Sequence, residues 1–335
     1  MRAVLCKEYG RPESLVIEEV AAPNPGEGEV ALDVKACGVN FPDILIIQNK
    51  YQFKPELPFS PGGEVAGVVS AVGPGVTRVK PGDRVIGSTG WGGFAEKVVV
   101  KETSAIPIPD VMPMTEASAF ILTYGTSHYA LKDRAKIQPG ENLLVLGAAG
   151  GVGLAAVELG KVMGARVIAA ASSEDKLATC RAHGADEGIL YPSGILDKGQ
   201  QKTLSEQIKA ATGDKGADVV YDPVGGSYAE PAIRATNWDG RFLVIGFAAG
   251  DIPRIPLNLT LLKSCQIVGV FWGAFVSRDP ARNKEHVAEL MRWYAEGKIK
   301  PHVSSVHPFE NYADALNELM ERRAQGKVVL EVAKE

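Results

Sequence analysis

Cysteine is scarce in this chain. Its four copies, Cys6, Cys37, Cys180 and Cys265, are scattered singly through 335 residues with no C-x-x-C pair. That spacing excludes a disulfide framework and fits a reducing, cytoplasmic compartment. Long apolar runs are missing as well. No stretch reaches the roughly 18 uninterrupted apolar residues of a membrane span, and the opening "MRAVLCKEYG" lacks an apolar h-region, so neither membrane insertion nor export is expected. A basic surplus is also absent: 36 Lys and Arg against 40 Asp and Glu give a net charge of -4, which leaves no extended positive field for a nucleic acid partner. Histidine is sparse, and His128, His183, His286, His302 and His307 read as structural residues.

What is present points to two domains, because 335 residues exceed what one hydrophobic core supports. Up to about Ala119 the chain runs through short β-rich stretches such as "EVALDVKACGV" and "GEVAGVVSAVG", broken by turn signals "APNPGEGE" and "KPGD". Beyond "DVMPMTEASAF" the pattern changes. Apolar strands "NLLVLG", "RVIAAA", "DEGILY", "ADVVYDPVGG", "GRFLVIGF" and "CQIVGVFWG" alternate with helical segments, the signature of an α/β fold whose doubly wound parallel sheet is covered on both faces. The tail "KEHVAELMRWYAEGKI" and "ENYADALNELMERRAQGKVVLEV" reads as two helices and a strand belonging to the first module.

The segment "LLVLGAAGGVGLAAVELG" predicts a strand over 142–146, a turn over 147–153 and a helix to about Met163. Its turn departs from the dinucleotide fingerprint G-x-G-x-x-G only at the first position, which is Ala148. Ala149, Gly150, Gly151, Val152 and Gly153 would bring backbone N–H groups and a helix N-terminus to a pyrophosphate. The end of the next strand selects the nucleotide. An NAD site places an acid there, whereas "AAASSEDK" places Ser172 and Ser173, with the acids Glu174 and Asp175 in the following helix turn. Ser172, Ser173 and Lys176, with Tyr191 as a further wall or donor, predict NADPH over NADH.

With "AGVVSAVGPGVTRVKPGDRV", "GAAGGVG", "DPVGG" and "GKVVL" in order, the chain resembles the medium-chain dehydrogenase/reductase superfamily. Within it, "GVNFPD", "PGGEVAG" and "GGFAE" resemble the zinc-free quinone oxidoreductase branch. The resemblance implies a GroES-like, mostly β catalytic domain, here 1–122 and 276–335, and a Rossmann dinucleotide-binding domain, 123–275, with nicotinamide and substrate between them. It also places the catalytic zinc ligands of related alcohol dehydrogenases at Asn40, Gly63 and Leu122, which supply no thiolate or imidazole, so no metal is expected. Cys37 reads as a small buried hydrophobe.

Without a Lewis acid, hydride delivery to an electron-poor quinone or α,β-unsaturated carbonyl is favoured over alcohol oxidation. Candidate catalytic residues are Asn40, which the resemblance puts near the nicotinamide, Asp43 as a loop organiser, Tyr51 as a hydrogen-bond or proton donor, and Thr126, which the resemblance puts against the nicotinamide. Ile47 and Asn49 stand where the branch often has Arg and Gly. On the Rossmann side, Asp222 and Val224 of "DPVGG" and Gly246-Phe247 fall at the carboxyl edge of the sheet, where ligands bind. Phe271, Trp272 and Gly273 follow the sixth strand as a further pocket wall. The resemblance also implies a homodimer through the Rossmann edge strand. Two other readings stay open: an acryloyl-CoA-type enoyl-CoA reductase, with Lys50 and Lys54 for the CoA phosphates, and an NADPH sensor or RNA-binding crystallin-like protein.

Overall fold

The β-branched run "EVALDVKACGV" becomes the strand Glu29–Val39, and the first unit is built around it. One flank pairs antiparallel with Glu64–Val72. The other is shared: its first half pairs with Lys97–Lys101 and its second half with Lys327–Glu331. Arg84–Ser88 and Ala105–Pro107 extend the sheet on one side and Val303–Pro308 on the other. The register sets Val328 opposite Val39, so the C-terminal segment delivers Lys327 beside Asn40, at the top of the central strand. Val34, Val65, Phe94, Phe309 and Leu330 are among the side chains of this unit's core.

The second unit is a six-stranded parallel sheet in the spatial order Glu187–Leu190, Arg166–Ala171, Asn142–Leu146, Ala217–Asp222, Thr236–Val244, Gln266–Gly269. Numbered along the chain this is 3-2-1-4-5-6, the doubly wound order of dinucleotide-binding sheets, and its switch point lies between Asn142–Leu146 and Ala217–Asp222. Nearly continuous apolar runs are needed because both faces are covered. Leu143, Leu144, Val145 and Leu146 are all fully buried.

The computed structural model describes residues 1–334. The described residues divide into 1–122 with 301–334, and 123–300. The expectation that 276–300 belongs to the first unit is corrected. The helix Pro280–Ala295 packs instead on His128, the last residue of the helix Ile121–His128, inside the second unit. His286 lies edge-on to His128 at 4.4 Å, and Trp293 lies 5.6 Å from the same ring. Within this unit, buried Glu158 accepts from Tyr124 Oη (2.6 Å) and from the Lys300 N–H (3.0 Å), and pairs with His183 Nδ1 (2.6 Å).

Candidate functional site

In the second unit the fingerprint turn occupies 147–150 and the helix Gly151–Val162 begins directly after it, earlier than the expected 147–153 turn allows. The left-handed residue is Gly147 (φ 58°), one place before the fingerprint's first slot. Ala148 is therefore tolerated: it is buried and donates its N–H to Ala170 O at 3.1 Å. Gly153 is required sterically, since a Cβ there would lie 2.4 Å from Gly147 O. Gly150 caps the helix without a side chain, which leaves the first-turn amides of Gly151, Val152 and Gly153 to a ligand. Ala149 lies buried inside the turn.

At the end of Arg166–Ala171, Ser173 Oγ caps the helix Glu174–Ala182 by accepting from Lys176 N, and Lys176 Nζ donates to Ser172 Oγ at 3.4 Å. These three residues converge. Tyr191 does not join them through its hydroxyl, which accepts the Gly147 N–H at 3.2 Å and so props the glycine turn from behind. Asp222 Oδ1 accepts from Val224 N (2.8 Å) and Gly225 N (2.9 Å), and burial pushes its carboxyl up to about 6. Val224 packs on Gly147 and Phe247 on Gly225. Gly246 donates its N–H to Asp222 O at 3.3 Å, so "DPVGG" and "IGF" form one connected edge. Trp272 lies over Gly125, next to half-buried Thr126, whereas Phe271 is exposed and Gly273 continues the helix Trp272–Arg278.

In the first unit, Asn40, Asp43, Glu64 and Lys327 form a closed polar cluster, 5, 3, 1 and 4% exposed. Asn40 caps the helix Phe41–Ile47, and Asp43 completes a capping box with it. The carboxylate of Asp43 accepts from Asn40 N (2.8 Å) and Gly62 N (3.0 Å), while burial pushes it up to about 6. The Asn40 amide is fully engaged: Nδ2 donates to Gly38 O at 3.0 Å and to Glu64 Oε2 at 3.5 Å, and Oδ1 accepts from Lys327 Nζ at 2.5 Å. Lys327 also donates to Val39 O at 3.2 Å and faces Glu64 Oε2 at 3.7 Å. Glu64 Oε1 accepts the Leu122 N–H at 2.9 Å. Burial raises the Glu64 carboxyl and lowers the Lys327 ammonium from their ordinary values, and each opposes the other's shift. Tyr51 is half-buried, edge-on to Phe53 at 5.8 Å, and its hydroxyl has no hydrogen-bond partner among the described residues. Burial, then the charge of Asp43, raises its phenol above 10.

Sequence reasoning missed Glu64 and Lys327. Both lie inside segments it quoted, "PGGEVAG" and "GKVVL", but a lysine 287 residues from its partner Asn40 gives no local signal of burial.

Residues 26–110 match the family described as "Alcohol dehydrogenase GroES-like domain", and 151–296 match "Zinc-binding dehydrogenase". The quinone oxidoreductase-like protein 2 homolog of Nematostella vectensis is 39% identical over 98% of this chain and 88% of its own length. The rat quinone oxidoreductase is 32% identical over 98% of this chain and 97% of its own length. The chain belongs to the medium-chain dehydrogenase/reductase superfamily, in its quinone oxidoreductase branch. It is an oxidoreductase of that branch. The Escherichia coli quinone oxidoreductase complexed with NADPH superposes with a TM-score of 0.89 at 29% identity, covering 99% of this chain and 100% of the other.

The zinc named in one family description would find no thiolate, imidazole or carboxylate at Asn40, Gly63 and Leu122, the positions to which the resemblance assigns its ligands. The amide oxygen of Asn40 already holds an ammonium, Gly63 has no side chain and Leu122 offers only hydrocarbon. Among the described residues no group of three or more His, Cys, Asp or Glu side chains is placed to hold a metal ion.

Proposed function

We propose that this oxidoreductase is an NADPH-dependent, metal-independent reductase of quinones or other conjugated carbonyl acceptors. The observation that carries the reading is the convergence of Ser172, Ser173 and Lys176 at the end of the second Rossmann strand, with no carboxylate on the strand end itself. Two hydroxyls and an ammonium suit a 2′-phosphate, which an acid at that place would repel. The relative crystallised with NADPH supports the same cofactor. Gly151, Val152 and Gly153 would hold the pyrophosphate, with Val224, Gly246, Phe247, Thr126 and Trp272 as further cofactor contacts.

Bound NADPH would supply the hydride. The protein's own share is positioning and a proton. The Asn40 amide and the Asp43 carboxylate are committed to internal hydrogen bonds, so both act as framework. Tyr51 has an open hydroxyl whose raised pKa keeps it protonated at neutral pH, and it is the proton donor to the reduced acceptor.

A homodimer fits the second unit. Its outer strand Gln266–Gly269 carries exposed Ile267, and Leu257, Leu261, Leu262 and Phe271 are exposed in the flanking segments. No helix among the described residues is long and apolar enough to cross a membrane. All four cysteines are unpaired and buried, which supports a reducing, cytoplasmic setting.

Fluorescence titration tests the cofactor assignment. NADPH is expected to bind at least tenfold tighter than NADH, and Lys176→Ala to remove most of that difference by weakening NADPH alone. Equal affinities in the wild type would overturn it. A panel of quinones and enones, followed by NADPH absorbance, tests the acceptor class.

A further inference from the structure

The second half of the parallel sheet ends beside an unsatisfied donor. Just past the outer strand Gln266–Gly269, Trp272 lays its indole on Gly125: a Cβ built on that glycine would stand 2.8 Å from Cε2 and Cζ2 and 2.9 Å from Nε1. Nε1 itself is buried and has no hydrogen-bond partner among the described residues. We propose that this N–H is the donor to the carboxamide oxygen of the nicotinamide, reached when the indole turns off Gly125, so that Trp272 recognises the nicotinamide end of the cofactor.

A buried donor left unpaired costs roughly 1–3 kcal/mol, and an acceptor brought by a ligand removes that cost. The position of Trp272 decides which ligand. The glycine turn 147–150 and the trio of Ser172, Ser173 and Lys176 lie on the first half of the sheet, which takes the adenosine side of a dinucleotide. The nicotinamide side then falls to the carboxyl ends of Ala217–Asp222, Thr236–Val244 and Gln266–Gly269, and Trp272 follows the last of these. The helix beneath it is tied to the same crevice: Ser127 Oγ donates to Val152 O at 3.0 Å, in the first turn of the pyrophosphate helix, and bonds Tyr221 Oη at 2.8 Å. One turn on from Gly125, Tyr129 stacks with Phe275 at 4.2 Å, the ring planes 12° apart. Phe275 therefore anchors the helix Trp272–Arg278, while Trp272 rests on bare backbone, with no side chain at 125 to hold its ring.

This inference deepens the NADPH reading and rests on it. The test compares NADPH with 2′-phospho-ADP-ribose, which keeps the phosphates and lacks the nicotinamide. Trp272→Phe keeps an aromatic ring and deletes the donor, so it is expected to weaken NADPH about fivefold and to leave the fragment within about twofold of the wild type. In proton NMR spectra of the wild type, the indole N–H signal that Trp272→Phe removes is expected to move downfield with NADPH and to stay in place with the fragment. Equal loss for both ligands, loss for neither, or an indole signal that NADPH leaves unmoved would overturn the proposal. If Trp272→Phe does not fold, Gly125→Ala decides. The three atoms nearest its Cβ all belong to the indole, so the variant disfavours the ring's resting place, and NADPH is expected to bind about twofold tighter with the fragment unchanged. Unchanged or weaker NADPH binding there sinks the proposal. A wild type that binds NADH as tightly as NADPH defeats the 2′-phosphate reading instead, and NADH against ADP-ribose then judges Trp272 by the same split. Binding of neither nucleotide defeats both.

Discussion

Asp222 and Asp43 show how single buried carboxylates organise each unit. Asp222 ties two backbone N–H groups of "DPVGG" with one oxygen, and Asp43 ties the start of the helix Phe41–Ile47 to Gly62. Burial pushes both carboxyls up to about 6, whereas an aspartate in the unfolded chain titrates near 3.9. The folded state therefore holds these protons to higher pH. The stability each contributes is full below about 4 and is lost as pH rises to about 6, beyond which each buried charge costs roughly 3 kcal/mol. Asp222→Asn keeps an oxygen for the two N–H donors and removes the charge. In urea titrations its stability relative to the wild type is expected to rise by about 1–3 kcal/mol between pH 4.5 and pH 7.5. A difference that stays flat across that range would contradict the assignment.

The glycine turn and its helix carry the clearest element-scale consequence. Because a Cβ on residue 153 would sit 2.4 Å from Gly147 O, Gly153→Val must push the helix Gly151–Val162 away from the turn and take its first-turn amides out of register with a phosphate. NADPH affinity is expected to fall at least tenfold with the circular-dichroism spectrum preserved. Undiminished binding would show that this helix end does not hold the cofactor. This element was legible in the sequence because its signals are local: an apolar strand, a left-handed glycine and a helix follow one another within twenty residues or so. Three other features were less legible. The helix Pro280–Ala295 is amphipathic in either unit, and only the contact of His286 with His128 assigns it to the second. Lys327 and Glu64 look like exposed charges in any local window, and their burial follows from the pairing of strands far apart in sequence. Tyr191 was placed at the nucleotide by its position after a strand, while its hydroxyl turns to Gly147.

On the scale of the whole molecule, the proposed dimer rests on the exposed apolar side chains beside Gln266–Gly269. A hydrophobic sheet edge of this kind invites pairing with a second copy. Sedimentation of the wild type is expected to give a dimer, and Leu261→Lys/Ile267→Lys a monomer. A monomeric wild type at micromolar concentration would remove the dimer from the account. The carboxylate of Glu158 has a different consequence. By receiving both Tyr124, just after the chain enters the second unit, and Lys300, the last residue before it leaves, it brings entry and exit together on one helix. Residues 123–300 thus have the plan of a cassette spliced into a host, with adjoining ends that a recombination event or an engineer could cut out or exchange as one piece.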